Sequence, residues 1–468
     1  MNMSIITKLS PLAAVVLLSA CAGTAKLEQL DLVQQTAKAE QVQLSTTDPA
    51  LRAEAEQEIA RLLAKPLTAE NASRIAVLNN PDFLAALASL TISKAELTQA
   101  GLLPNPGVRV IRSREEDGYS TELDFSLNLF NLIFLSQNKA IATQQAEQQQ
   151  QQVALQLMDL LTQSRSAFIE AVVAQQRFSY LQTVQEAIDA SAELANRMYQ
   201  VGNYSELQQA RQLKFAAQIR LQLAKTGQQQ QQSREQLYLL LGVDPTTDLQ
   251  LPAYLPAIPA TLPLQDNLEQ QALAQRLDLQ QAKARLNQLE LQLGLEKNSR
   301  FVRGLSAEIA GSVQHSVERE VALGVELPLF DSGSVRISKA EAQYQQAWWQ
   351  AKALEQKARS EVRQAYALHQ SSYQIARHYQ DQLVPLAQKI NQQNVLRYNG
   401  MLIGVFELIA DTQAQVETVT GQMTAQRDYH LSELRLQQSL WGSPSLQQIT
   451  DSAMTSSNTS STATAAGH

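Results

Sequence analysis

The feature that most constrains this chain is an internal repeat. Phe125-Ser-Leu-Asn-Leu-Phe-Asn131 can be set against Val325-Glu-Leu-Pro-Leu-Phe-Asp331, and Lys139-Ala140 against Lys339-Ala340. Tyr199-Gln-Val-Gly202 followed by Glu206-Leu207 finds its echo in Tyr398-Asn-Gly400 followed by Glu407-Leu408. The offset stays near 200 residues throughout, so the expected architecture is one unit used twice. The boundaries read as 69–241 for the first unit and 265–441 for the second. Between them lies a connector, 242–264, whose prolines at 245, 252, 256, 259 and 263 cannot continue a helix.

Within each unit the hydrophobic period changes. Thr121, Leu123, Phe125, Leu127 and Leu129 alternate with Glu122, Asp124, Ser126 and Asn128, and Val108 and Val110 begin a weaker partner strand before a turn at Asp117-Gly118. In the second unit Leu305, Ala307, Ile309 and Val313 alternate. A turn is expected near His315 to Glu320, and then Val321, Leu323, Val325, Leu327 and Leu329 alternate again. Period two over such lengths means strands with one oily and one polar face. The hairpins are expected at about 107–130 and about 305–330, with strands close to the ~9–11 residues that a membrane strand needs. A pair of hairpins in a soluble sandwich is the other reading, but both hairpins lead into very long helices.

No glycine or proline interrupts Tyr119 to Val201, and only Pro385 interrupts Ser334 to Asn399. Leu157, Leu161, Phe168 and Val172 form a coiled-coil-like seam, and Ala167, Ala171 and Ala174 allow close helix approach. A helix of ~60 residues is ~90 Å long, which suits something that crosses a compartment. The expected class is therefore mainly α with a small β part, about four β-strands to each protomer. No mature stretch approaches the ~20 apolar residues of a membrane helix, so a membrane crossing would have to be a closed barrel. Four strands cannot enclose a wet lumen, so several copies must share one barrel. Oily side chains outward would leave Glu122, Asp124, Asn128 and Glu326 facing the interior.

The start of the chain points to export. Lys8, the apolar run Pro11–Leu18 and Leu18-Ser19-Ala20-Cys21 read as a signal peptide over 1–20. The last four residues resemble a bacterial lipobox, with Cys21 as the lipidation site. A signal peptide that happens to contain a cysteine is the plainer alternative. Ala22 in the next position resembles the outer-membrane sorting pattern of such lipoproteins. Residues 21–68 form a lipidated extension, and 442–468, rich in Ser, Thr and Ala, read as a disordered tail.

Three further stretches carry a family resemblance: Asn79-Asn-Pro81 followed by Ala100-Gly-Leu-Leu-Pro-Asn-Pro106, then Val325 to Gly333, and Arg397 to Gln413. Together they resemble the TolC-type outer-membrane efflux protein family, in its lipoprotein branch, from about Ala69 to Trp441. The resemblance implies a homotrimer in the outer-membrane lipid, with a trimeric transmembrane β-barrel and long antiparallel coiled-coil helices forming a periplasmic tunnel. It also implies a periplasmic adaptor protein and an inner-membrane efflux pump as partners. One departure stands out. The first unit has Asn131-Leu-Ile-Phe-Leu135 where the second has Asp331-Ser-Gly333, which suggests a more membrane-embedded junction.

Glu206 and Glu407 follow the two helix-hairpin tips, and Asp411 shares a helix face with Glu407. In an oligomer these would form acidic rings that select cations, and the resemblance places the closed constriction here, with Arg397 and Tyr398 as latch partners. Acids at a solvated helix start are the simpler explanation. Gly202, Asn203, Gly400 and Gly404 mark the tips. Exposed Met401, Leu402 and Ile403 would give an apolar adaptor contact, or else pack on their own helices. Trp348-Trp349 are expected to pack, and the Gln144–Gln152 run reads as a polar helix surface. The five histidines have no ligand-like spacing, so no metal site and no cofactor are expected. A net charge of −7 without any basic block argues against nucleic acid, and no catalytic constellation is visible. A periplasmic coiled-coil lipoprotein without a pore remains the alternative, and the cargo, small molecule or metal ion, stays open.

Overall fold

The computed structural model describes residues 33, 49–115, 118–263, 267–300, 306–313, 317–324, 332–400 and 402–442. Cys21, Glu326, Met401, His315, the signal segment and the tail lie outside the described residues. The element order is α1 (Pro49–Leu63), α2 (Ala69–Asn79), α3 (Pro81–Ala100), β1 (Gly107–Glu115), β2 (Gly118–Asn128), α4 (Leu129–Ile133), α5 (Leu135–Gln200) and α6 (Glu206–Leu241). Then come α7 (Leu268–Gln275), α8 (Leu277–Asn298), β3 (Ser306–Val313), β4 (Val317–Gly324), α9 (Ser334–His378), a π turn (Tyr379–Leu383), α10 (Val384–Asn399) and α11 (Val405–Trp441). The sequence two short helices, hairpin, long helix, second helix occurs twice. No single helix among the described residues is long and apolar enough to cross a membrane.

The chain divides into two compact units. One contains Leu87–Gln150 and Ala284–Ala347, and with them the four-stranded antiparallel sheet of order β1-β2-β3-β4. β4 begins at Val317, inside the stretch expected to turn. Val317 pairs with Val313 and Glu320 with Ala310, so Glu318 and Glu320, inside the expected turn, instead continue the polar row of a strand. Below the sheet the glutamine-rich run is more than a wetted surface. Gln148 donates to Gln288 Oε1 at 2.8 Å and Gln149 to Ser89 Oγ at 2.8 Å, hydrogen bonds that tie α5 to α8 and α3.

The two strand-to-helix junctions differ. After β2, Asn128 caps the short helix α4 by accepting from the Asn131 N–H at 3.1 Å. There Leu132 and Ile133 are exposed while Phe134 is buried against Phe130, ring centroids 4.8 Å apart. Before α9, Gly333 takes φ +77, and the Arg300 Nε donates to the Ser332 carbonyl at 2.6 Å.

The other unit contains Val33–Ala86, Gln151–Lys283 and Trp348–His468. The expected seam is buried: Leu157, Leu161, Phe168 and Val172, with Ala167, Ala171 and Ala174. Toward the end of α5, Ile188 and Ala192 pack with Phe215, Ala216 and Ile219 of α6. The proline-rich connector is packed rather than loose. Leu249, Leu255 and Ile258 are buried, and its carbonyls find side-chain donors. Gln426 donates to Pro256 O at 2.9 Å, Tyr373 Oη to Ala260 O at 2.7 Å and Tyr238 Oη to Thr247 O at 2.7 Å. Prolines lack N–H groups but still require such partners for their carbonyls. Pro385 is accommodated by the π turn, where Val384 N–H reaches back to Tyr379 O; the Tyr379 ring lies against Gly421, where a side chain would meet its hydroxyl at 2.8 Å. Trp348 and Trp349, expected to pack, are both exposed and sit edge-to-face, centroids 4.5 Å apart.

Candidate functional site

Two regions carry the residues expected to act: the faces of the sheet and the two helix-hairpin tips. In an antiparallel sheet, paired residues share a face and neighbours along a strand alternate. The register pairs Val108 with Phe125, Val110 with Leu123, Phe125 with Ile309 and Ile309 with Val321. One face therefore holds an apolar band of Val, Leu, Ile and Phe, of which Val108, Val110, Leu123 and Phe125 are exposed. The other holds Glu122, Asp124, Ser126 and Asn128 beside Glu308, Ser312, Glu318 and Glu320. Of these, Asp124 is 8% exposed, opposite Arg109 on β1 and Ala310 on β3. Glu122 is described by its backbone placement alone. β1 and β4 form the two edges, and neither has a further strand among the described residues.

The first tip joins α5 to α6. Gly202 has φ +79, its N–H donates to Tyr199 O at 3.0 Å, and the Asn203 N–H donates to Met198 O at 2.8 Å. That pair of bonds closes a left-handed helix stop, for which glycine is suited. Ser205 then caps α6 reciprocally with Gln208, and Glu206 sits in its first turn, exposed, where the helix dipole favours an acid.

The second tip is built differently. Gly400 has φ −81 and Gly404 φ −82, so neither requires glycine on conformational grounds. Leu402 N–H donates to Arg397 O at 2.8 Å, and the Leu402 side chain is 73% exposed. Arg397 lies in the last turn of α10 with an exposed side chain, a favourable place for a cation. Glu407 lies in the first turn of α11, its backbone placement alone described. Asp411 accepts a hydrogen bond from the buried Asn394 of α10.

Sequence reasoning passed over Tyr204, the tyrosine of the first tip. Burial pushes the Tyr204 hydroxyl above the ordinary tyrosine value, and the neighbouring Tyr398 pushes it further. Nothing in the spacing of Tyr204 distinguishes it, because its neighbour is nearly 200 residues away. Val201, Leu207, Leu396 and Leu402 are exposed around the tips. No group of three or more His, Cys, Asp or Glu side chains that could hold a metal ion occurs among the described residues.

No protein-family model matches the sequence, and no curated protein matches it either. Solved structures do match. The outer membrane channel CmeC of Campylobacter jejuni superposes with a TM-score of 0.67 at 14% identity, covering 85% of this chain and 89% of that one. The open state of the MtrE outer membrane channel of Neisseria gonorrhoeae gives 0.63 at 16% identity, covering 82% and 89%. The outer membrane protein VceC of Vibrio cholerae gives 0.63 at 17% identity, covering 83% and 96%. At such identities the likeness establishes a shared fold, that of the TolC-type outer-membrane channels.

Proposed function

From that shared fold, we propose that this chain is one protomer of a homotrimeric outer-membrane efflux channel, a passive duct for small molecules or metal ions. The observation that carries the reading is the sheet. Its apolar face is exposed, its polar face is acidic, and it has two edges. Lipid satisfies the first, a wet lumen the second, and strands of further copies the third. The helices then extend the lumen into the periplasm. Exposed Leu221, Leu239, Ile375, Leu386 and Ile390 along them supply apolar surface for neighbouring protomers.

At the tips, Glu206, Glu407, Asp411, Arg397 and Tyr398, together with Tyr204, form the constriction, and Gly202, Asn203, Gly400, Met401, Leu402 and Gly404 meet a periplasmic adaptor that links to an inner-membrane pump. Cys21 carries the lipid after residues 1–20 are removed, and the two repeats span 69–241 and 265–441. The test is the native mass and single-channel conductance of protein extracted from outer membranes in mild detergent. A conducting trimer supports the duct; a soluble or non-conducting helical monomer overturns it and leaves a periplasmic scaffold.

A further inference from the structure

Charge divides between the faces of the sheet more sharply than a duct alone requires. Following the register, the face with the apolar band consists of positions 108, 110, 112 and 114, then 119 to 127, 307 to 313 and 317 to 323 at every second residue. It carries Arg112, Arg114 and Arg319 and no acidic residue. The opposite face carries Glu115, Glu122, Asp124, Glu308, Glu318 and Glu320, with Arg109 as its one arginine. Every carboxylate of the sheet is therefore on the side away from these three cations.

Arg112 and Arg114 follow one another on β1, whereas Arg319 stands on β4 at the opposite edge of the sheet. Arg112 is in line with Thr121, which is in line with Val313; Arg319 is in line with Gly311, one step nearer the helices; Arg114 is paired with Tyr119, one step further out. Arg112 and Arg114 lie toward the hairpin connection of β1, about 14 and about 20 Å along the strand from Val108 at ~3.4 Å per residue. The Arg112 guanidinium lies 4.6 Å from the Tyr119 ring centroid, a cation–π contact that presents its remaining N–H groups at the surface. Arg114 and Tyr119 are exposed. A tyrosine at the end of an apolar band is the composition of a membrane–water boundary, and arginine stems can lie along such a band while their heads reach the aqueous edge.

We infer that Arg112 and Arg114, steadied by Tyr119, bind the phosphate groups of an anionic lipid headgroup in the leaflet next to the hairpin connections. The inference rests on the barrel reading, since only a lipid-facing outer surface brings headgroups to this level. Guanidinium forks match phosphate oxygens bidentately, which lysine cannot reproduce. Among the described residues of the sheet no carboxylate shares this face with them, and the lipid is the source of the counter-charge.

The test uses the purified full-chain oligomer in neutral detergent, probed by native mass spectrometry with diphosphoryl lipid A, its dephosphorylated analogue and inorganic phosphate. The wild type is expected to retain the phosphorylated lipid at least tenfold better than the analogue, with excess inorganic phosphate failing to displace it. R112Q/R114Q is expected to lose most of that retention. R109Q, which removes a charge from the opposite face, is expected to keep it. Equal retention by wild type and R112Q/R114Q, or full displacement by inorganic phosphate, overturns the lipid site. Conductance of the same proteins in neutral bilayers separates the two readings: pores that conduct normally with indiscriminate lipid retention sink this inference alone. A wild type that forms no pore removes the duct and this inference together.

Discussion

The two halves of the molecule end their outgoing helices against the same kind of break but hold them by different chemistry. In the first half Asn79 ends α2 and Asn80 separates it from α3. Asn80 caps α3 by accepting from the Phe83 N–H at 3.0 Å, and its amide donates to Leu240 O at 3.1 Å. Asn79 donates to Leu241 O and Gly242 O at 3.2 and 2.5 Å. Carbonyls left unpaired at the C-terminus of α6 are thereby satisfied by neutral amides. In the second half Arg276 separates α7 from α8 and donates to Ser439 O, in the last turn of α11, at 3.1 Å. It is 0% exposed and paired with Asp278 at 2.6 Å and Glu361 at 2.9 Å. Burial would lower its pKa, but those two carboxylates outweigh burial and hold it above the usual arginine value. The same structural need is met by dipoles in one half and by a buried charge in the other. The neutral clasp can lose a member cheaply, whereas the charged one takes a buried guanidinium from Asp278 and Glu361.

The largest effect that follows is at Arg276. Arg276→Leu is expected to cost about 3–5 kcal/mol, the range for removing one partner of a buried ion pair, measured by urea unfolding in detergent. Adding Asp278→Asn and Glu361→Gln should restore much of that loss, because no buried charge is then unpaired. A single variant within about 0.5 kcal/mol of wild type would show that the charged clasp carries no weight.

Next come the glycines beside the clasps. Gly242 has φ +63, and a methyl there would lie 2.6 Å from the Asn79 carbonyl oxygen; backbone strain and the clash make Gly242→Ala costly by about 2 kcal/mol. Gly442 has φ −174 and would meet only the tip of the Leu155 side chain, so Gly442→Ala should cost under about 1 kcal/mol. Equal urea midpoints for the two variants would erase the distinction between the halves.

Asn80→Ala removes a cap and a buried hydrogen bond, for an expected ~1–2 kcal/mol. A loss matching that of Arg276→Leu would mean that charge is not what sets the second clasp apart. The smallest contrast is at the tips. Gly202→Ala should cost about 1 kcal/mol through its positive φ alone, since nothing lies within 4 Å of the added methyl. Gly400→Ala, with φ −81 and contacts no closer than 3.5 Å, should be neutral or stabilising by about 0.4–1 kcal/mol.

This contrast also measures what was legible in advance. Asn79-Asn-Pro81 stood out as a signature, but its task did not, because the carbonyls it satisfies belong to residues some 160 positions later. Arg276 attracted no notice at all: one arginine in a polar stretch has no pattern until the fold surrounds it with Asp278, Glu361 and Ser439. Gly202, Gly400 and Gly404 all read as turn glycines, and only the backbone angles separate the one that needs glycine from the two that do not.

What the sequence determined by itself is whatever recurs locally. Alternation near Leu123 and Phe125 made strands, uninterrupted helix formers after Leu135 made a 66-residue helix, and the seam from Leu157 to Val172 marked a buried face. Each depends on residues a few positions apart, so periodicity alone carries it. The tertiary structure decided everything that depends on which distant residues meet. It packed the proline connector under Tyr373 and Gln426 and left Trp348 and Trp349 exposed. It also put every acid of the sheet opposite Arg112, Arg114 and Arg319, since strand register fixes the face a residue occupies and register is a property of pairs.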